Sequence, residues 1–110
     1  MTSTNGLEIT VDGLEGGDSA VTVMLVGSLD TTTVEEAQKM LLEVLEKLEI
    51  GDITVDFSEL TYISSAGLRV MLLLNKEATD KNIKLKLRDM RQSVREVFDM
   101  VGFTALFTVE

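Results

Sequence analysis

The chain has 110 residues, 45% of them hydrophobic and 26% charged, which is typical of one soluble globular domain; we expect it to span residues 1–110. It contains no cysteine and no histidine, which excludes disulfide bonds, thiolate or imidazole zinc sites and cysteine- or histidine-dependent catalysis. The formal net charge of −9 disfavours direct binding to nucleic acid or to an anionic membrane. We therefore predict a protein without enzymatic activity, cofactor or metal.

The negative charge is concentrated in the first part of the chain. Residues 1–64 contain thirteen acidic and two basic side chains, whereas residues 65–110 contain six acidic and eight basic ones. This asymmetry is typical of two differently solvated faces, and it also fits a bipolar surface that orients a charged protein partner.

Neither a targeting segment nor a membrane span is predicted. Residues Met1–Gly6 lack the basic and apolar regions of a signal peptide. The longest apolar runs, such as Val70–Leu74, are much shorter than the roughly 20 residues that cross a bilayer. We expect a cytoplasmic protein that does not bind membranes.

The chain opens with a predicted β-hairpin. The apolar runs Leu7–Val11 and Val21–Val26 flank a glycine-rich turn at residues 13–18, and glycine accepts the positive φ that such a turn requires. Two runs joined in this way predict an antiparallel pair of strands.

A helix is predicted next. The spacing of Thr32–Glu35, or alternatively of Thr33–Glu36, matches a capping box, and Gly51 is expected to end the helix. The predicted buried stripe comprises Val34, Ala37, Leu41, Val44 or Leu45, and Leu48.

Two further strand–helix units follow. Ile53–Phe57 predicts a short strand, Ser58–Tyr62 a loop, and the region from about Ser65 to Thr79 a helix. Ile83–Arg88 alternates apolar and basic residues, which predicts a strand with one wet face.

The last helix is predicted to begin at the Ser93–Glu96 capping box and to end at Gly102, a left-handed cap against which Phe103 packs. Ala105–Val109 predicts a final short strand. The predicted buried stripe of this helix comprises Val94, Val97, Phe98 and Val101. The element order β-β-α-β-α-β-α-β predicts an α/β fold, a mixed sheet with an N-terminal antiparallel hairpin, then parallel strands, and helices packed on it.

Two serines and a glycine begin the middle helix. Ser65 at or near the N-cap would accept a hydrogen bond from a first-turn amide, and Ser64 would stay exposed. Gly67 costs about 1 kcal/mol of helix stability relative to alanine, so either close helix–sheet packing or open access to the serine should compensate. Ordinary capping explains the serines, but the helix N-terminus would also favour a phosphate attached there.

The same helix is apolar over more than one face. Its predicted core stripe comprises Ala66, Val70, Leu73, Leu74 and Ala78. Leu68, Met71 and Leu72 lie outside that stripe, so the helix is either sandwiched within the fold or presents an apolar patch to a partner.

Three segments, which together extend over nearly the whole chain, resemble the signature of one family. They are Gly27–Asp30, Asp56–Ser58 together with Tyr62–Val70, and Ser93–Phe103. In this order they are similar to the motifs of anti-sigma-factor antagonists, the bacterial STAS-domain family.

The resemblance implies a regulatory switch. Well-studied members of the family bind an anti-sigma factor that is itself a serine kinase, and so free a sigma factor for transcription. The kinase phosphorylates a serine of the antagonist, which then dissociates, and a serine phosphatase resets it. The expected assembly state is a monomer or weak dimer, and the alternative is a non-phosphorylated STAS scaffold or sensory module of a bacterial signalling complex.

The same resemblance implies roles for single residues. Ser65 matches the phosphoacceptor, with Ser64 as the runner-up because it stands where members with the switch often have aspartate. Asp56 matches a supporting acidic position at a strand end, and Arg69 would either pair with the phosphate or remain solvated. The residues expected to bind the partner are Asp30, Ser64, Ala66, Gly67, Leu68, Arg69, Met71 and Leu72.

A third hypothesis is a small enzyme that uses Asp30 and Asp56 as acid and base. The absence of histidine, cysteine and a phosphate-binding glycine-rich motif disfavours it.

Overall fold

The computed structural model describes residues 2–4, 6–13, 20–48 and 51–110. Most of the predicted turn at residues 13–18 lies outside this part of the chain. The strands are β1 (Thr2–Thr4), β2 (Leu7–Asp12), β3 (Ala20–Leu29), β4 (Gly51–Ile63), β5 (Ile83–Arg88) and β6 (Thr108–Val109). The helices are α1 (Val34–Lys47), α2 (Ser65–Asp80) and α3 (Gln92–Met100), followed by a 3₁₀ turn at Phe103–Ala105. None of the helices formed by these residues is long and apolar enough to cross a membrane.

All six strands belong to one sheet, in which their spatial order equals their order along the chain. β1, β2 and β3 pair antiparallel, and β3 to β6 pair parallel. The predicted mixed α/β fold is confirmed. The short strand β1 at the edge of the sheet was not predicted.

The core lies on one face of the sheet. Alternate residues of β5 (Ile83, Leu85 and Leu87) and of the first part of β3 (Val21, Val23 and Leu25) are buried, whereas the residues between them are half-buried or exposed. Successive parallel strands of this sheet are added in one direction. Each right-handed crossover between them therefore places its helix on the same face. The helices therefore cover one face, and no described helix covers the opposite face.

β4 is much longer than the sequence predicted. Ser58–Tyr62 was expected to form a loop, but the strand continues to Ile63 because the second half of β3 pairs with it, from Gly27 opposite Leu60 to Leu29 opposite Ile63. Register shifts in this pairing accommodate the irregular, polar part of the strand. The consequence is that the start of α2 lies directly beside the end of β3.

The predicted capping box of α1 is wrong for both alternative residue pairs, Thr32–Glu35 and Thr33–Glu36. Thr33 is the N-cap, but its side chain makes no capping hydrogen bond to the helix. Its buried hydroxyl instead donates to the carbonyl of Ser28 at 3.0 Å and accepts from the N–H of Asp30 at 2.9 Å. α1 ends at Lys47, and Gly51, expected to end it, begins β4. The buried stripe from Ala37 to Leu48 is as predicted.

The predicted capping box of α3 is also wrong. The N-cap is Arg91, without a side-chain hydrogen bond to the helix. Val94 and Phe98 are buried as expected, but Val101 is 50% exposed because it follows the last turn of the helix. Gly102 has the predicted left-handed conformation, with φ of 77°.

An aromatic cluster attaches α3 to the sheet. The ring of Phe98 lies 5.8 Å from those of Phe57 and Phe107 and 6.4 Å from that of Phe103, in edge-to-face orientations, a favourable geometry for aromatic pairs. The predicted packing of Phe103 against the end of α3 is thus confirmed. The final strand is only Thr108–Val109, since the 3₁₀ turn takes up part of the predicted Ala105–Val109.

Candidate functional site

The candidate site lies where β3 and β4 end side by side. Leu29 and Ile63 are the last paired residues of the two strands, and the N–H of Ser64 donates to the carbonyl of Leu29 at 2.9 Å. This bond holds the start of α2 against the loop that begins at Asp30. The site therefore combines a loop after one parallel strand with a helix N-terminus after its neighbour.

The structure reverses the predicted capping assignment of the two serines. Ser64 is the N-cap, with extended backbone, and its hydroxyl oxygen accepts a hydrogen bond from the N–H of Gly67 at 3.2 Å. Ser64 is half-buried, whereas Ser65, the first residue of the helix, is exposed. The hydroxyl left accessible is that of Ser65.

Gly67 allows the helix to approach the sheet closely. A Cβ atom at this position would lie 2.8 Å from the carbonyl oxygen of Leu29 and 2.8 Å from Cγ1 of Ile63, closer than real Cβ contacts allow. The first of these atoms belongs to the backbone, so it moves only with β3. The close-packing explanation of Gly67 is therefore supported, and its buried position offers no side chain to a partner.

The solvent-facing side of α2 carries a regular set of exposed residues, which we call the α2 outer stripe: Ser65, Arg69, Leu72 and Lys76. Their spacing of four, three and four residues places them on one face of the helix. Leu72 is 40% exposed, and a shallow groove of about 390 Å³ is lined by Arg69, Leu72, Leu73, Asn75 and Lys76. Arg69 forms no ion pair with any residue that the structure describes. The stripe thus offers one hydroxyl, two cations and one apolar side chain to solvent.

Two residues expected to bind a partner belong to the core instead. Leu68 is 5% exposed and Met71 is fully buried, so neither prediction of direct contact holds. α2 packs against α1 as well as against β4 and β5, so its buried face is wider than a single stripe. Ala66 and Leu73, predicted to be core, are only half-buried.

Asp30 lies at the site with an ordered, charged side chain. Its carboxylate oxygen Oδ1 accepts hydrogen bonds from the hydroxyl of Thr32 at 2.7 Å and from the N–H of Thr32 at 2.9 Å. These two bonds hold the pKa of the Asp30 carboxyl below its ordinary value. Asp30 is therefore a negative charge fixed beside Ser64.

Asp56, predicted to support the site, is remote from it. It lies within β4, seven residues before Ile63, a distance of about 20 Å at the usual rise of a strand. Its carboxylate accepts from the N–H of Ser58 at 2.8 Å and from Arg88 at 2.9 Å. Burial raises the pKa of this carboxyl, but the bonds from Ser58 and Arg88 outweigh burial and hold the pKa below its ordinary value. The separation also rules out Asp30 and Asp56 as the acid and base of one active site.

Two surface residues of the site are not predicted by the sequence: Lys76 of the α2 outer stripe and Tyr62. Tyr62, the only tyrosine of the chain, is 54% exposed and lies two residues before the N-cap of α2. The pattern of Ser58–Tyr62 predicts a loop, and only the pairing of Tyr62 with Ser28 in β3 places it at this end of the sheet. Among the described residues, no cluster of acidic side chains is arranged to hold a metal ion.

Comparison with known proteins agrees with this architecture. The family model for the STAS domain matches residues 13–110. BtrV of Bordetella bronchiseptica, which bears the name of an anti-sigma factor antagonist, is 33% identical over 103 residues, covering 94% of this chain and 85% of BtrV.

Solved structures show the same fold at low sequence identity. An anti-sigma factor antagonist from Mycobacterium paratuberculosis superposes with a TM-score of 0.77 at 14% identity, covering 99% of this chain and 89% of that one. The anti-sigma factor antagonist SpoIIAA in its unphosphorylated form gives 0.74 at 19% identity, with 94% and 87% covered. The phosphorylated form of Bacillus SpoIIAA gives 0.65 at 18% identity, with 94% and 90% covered. Because the family model matches most of this chain and a relative is one-third identical to it, this chain belongs to the STAS domain family.

Proposed function

We propose that this chain is a cytoplasmic anti-sigma factor antagonist whose residues 1–110 act as one module. It binds a serine-kinase anti-sigma factor through the α2 outer stripe and the Asp30 loop. Phosphorylation of Ser65 by that kinase ends the binding, and a serine phosphatase restores it. The observation that carries the proposal is the exposed hydroxyl of Ser65 at the first position of α2.

The choice between the two serines rests on hydrogen bonding. The oxygen of Ser64 already accepts the N–H of Gly67 and Ser64 is half-buried, so Ser64 would have to release the cap of α2 to enter a kinase active site. The side chain of Ser65 has no hydrogen bond to any described residue and can enter a kinase active site without local unfolding. Ser65 is therefore the acceptor that the fold can present at the lower free-energy cost.

The local electrostatics tolerate a phosphate on Ser65. The first turn of α2 contains no acidic residue, and the positive end of the helix dipole stabilises an added negative charge. Arg69 lies one turn further along the helix and is free to approach the phosphate. The fold of the antagonist should therefore survive phosphorylation.

Loss of binding then arises at the interface. A phosphate adds a charge of about −1.5 to −2 at neutral pH. An unpaired charge buried between two proteins costs about 2–5 kcal/mol, which weakens affinity by roughly thirty-fold to several thousand-fold. No rearrangement inside the antagonist is needed.

The test is phosphorylation by the cognate kinase. Incubation of the chain with that kinase and ATP, followed by mass spectrometry of the intact protein, should show one added phosphate. Ser65→Ala should abolish the addition, and the matched variant Ser64→Ala should retain it. Modification that persists in Ser65→Ala and is lost in Ser64→Ala would assign the acceptor to Ser64 instead.

A non-phosphorylated STAS scaffold or sensory module is the second candidate. It is favoured by Ser64, which occupies the place where members with the switch often carry aspartate, so the residue directly before Ser65 supplies no carboxylate to help present its hydroxyl. The scaffold predicts that Ser65→Asp leaves partner affinity unchanged by isothermal titration calorimetry. The switch predicts a loss of at least ten-fold.

A further inference from the structure

The face of the sheet opposite α1, α2 and α3 bears charge and is not covered by any described helix. We call it the open face and define it by the residues of β2 to β5 that alternate with the buried ones. Its central residues Thr22, Met24 and Thr54 are only half-buried, and no helix of the described chain covers them. The site around Ser65 does not include this face.

The outer strands of the open face bear opposite charges, while β4 between them contributes Asp52, which is opposite Lys84 in the register, and Asp56, which is paired with Arg88. β2 contributes Glu8 and Asp12, and β5 contributes Lys84 and Lys86. None of these four side chains forms an ion pair with another described residue. The two strands are separated by β3 and β4, so the acidic and basic sides lie about 14 Å apart at the usual strand spacing.

The pairing register places one acid and one base in the same row across the sheet. Asp12 pairs with Thr22, Thr22 with Thr54, and Thr54 with Lys86. The row therefore begins with an exposed carboxylate, passes over two threonines, and ends with an ammonium group. When a second copy of this row is reversed end to end and laid over the first, each carboxylate faces an ammonium group.

We propose that the open face binds the open face of a second copy of this chain about a two-fold axis parallel to the strands. This rotation exchanges the β2 and β5 sides and keeps each row in place, so Asp12 of one copy faces Lys86 of the other, twice per dimer. A two-fold axis across the strands would instead place acidic side over acidic side. Charge complementarity thus selects one arrangement, and two sheets stacked face to face normally pack about 10 Å apart.

The expected dimer is weak. Four strands of about six residues present roughly 400 Å² of sheet, about half of what each partner contributes to a standard interface. The net charge of −9 on each copy also opposes association. Salt weakens this repulsion between distant charges more than it weakens the attraction between charges in close pairs.

Charge reversal gives a direct test. Sedimentation velocity of the full chain, up to about 1 mM, should show a reversible monomer–dimer equilibrium. Asp12→Lys and Lys86→Glu should each weaken homodimerisation at least ten-fold, because like charges then face each other twice. An equimolar mixture of the two variants should dimerise at least as well as the parent, because both contacts become attractive again.

Matched controls separate this contact from an effect of net charge. Glu43→Lys and Lys39→Glu, both exposed on α1, change the net charge by the same amounts and should leave dimerisation within about two-fold. Asp12→Lys lowers the net negative charge, so a mere charge effect would strengthen association, whereas the proposed contact predicts weakening. A chain that stays monomeric throughout, or a dimer unaffected by Asp12→Lys and Lys86→Glu, would overturn the proposal. Because Ser65 lies outside the open face, Ser65→Ala should dimerise normally, so failure of the switch and failure of the dimer are separate results.

Discussion

At the scale of single residues, Gly67 allows α2 to lie close against the sheet. The missing side chain allows the helix to contact the carbonyl of Leu29 and the side chain of Ile63. This contact keeps Ser64 next to Leu29, and so it sets the place at which Ser65 is displayed. The glycine therefore acts on the site through the backbone.

Gly67→Ala should destabilise the protein although alanine is the better helix former. The gain in helix propensity, about 1 kcal/mol, is smaller than the cost of moving β3 away from a Cβ that would otherwise lie 2.8 Å from a backbone oxygen. We expect a net loss of about 1–3 kcal/mol in the free energy of unfolding by urea titration. An alanine variant more stable than the parent would show that α2 does not sit this close to β3.

At the scale of elements, the start of α2 assigns different tasks to adjacent serines. Ser64 satisfies an amide of the first turn, while Ser65 is turned towards solvent. The helix thus keeps its cap whatever happens to the neighbouring hydroxyl. This separation of roles is what a modification site at a helix start requires.

Substitutions should separate the two roles by stability. Ser64→Ala removes the cap and should cost about 1 kcal/mol, whereas Ser64→Asp, a good N-cap, should be as stable as the parent. Ser65→Ala should change stability by less than about 0.5 kcal/mol, as for exposed positions in general. Urea unfolding of the three variants is the measurement, and equal losses for both alanine variants would contradict the assigned cap.

At the scale of the whole molecule, one ion pair on the open face ties β4 to β5. Asp56 is almost completely buried, and Arg88, 41% exposed at its side chain, bonds to it at 2.9 Å. The carboxylate also accepts the N–H of Ser58. The pair therefore contributes to global stability and not to the Ser65 site.

The stability of the protein should depend on pH through Asp56. Its pKa in the folded protein lies below the ordinary value, so its contribution is present above the ordinary pKa of about 4 and is lost as pH falls through the lower folded-state value. Asp56→Asn should cost about 1–2 kcal/mol at neutral pH, a modest loss because water can hydrate the exposed part of Arg88. The difference from the parent should shrink below about pH 4 in urea titrations at a series of pH values.

Asp89→Asn provides the matched control for that experiment. Asp89 is 62% exposed and lies 3.5 Å from Arg88, so its loss should cost less than about 0.5 kcal/mol. If the two variants were equally destabilised, or if the effect of Asp56→Asn did not change with pH, the buried pair would not be the cause.

The sequence alone determined what depends on local periodicity. The alternation of Ile83–Arg88 predicted β5 with its wet face, helical spacing predicted the buried stripe of α1, and Gly102 predicted the end of α3. These features follow from the repeat of a strand or helix and from the φ angles a residue accepts, all of which are local properties.

Tertiary structure alone decided which surfaces remain exposed. Leu68 and Met71 are as apolar as Leu72, yet only Leu72 reaches solvent, because α1, β4 and β5 all pack against α2. Pairing with β3 extended β4 through a polar segment and carried Asp56 away from the site, and the row from Asp12 to Lys86 exists only across four paired strands. Neighbours distant along the chain decide burial and proximity, and no pattern within one segment contains them.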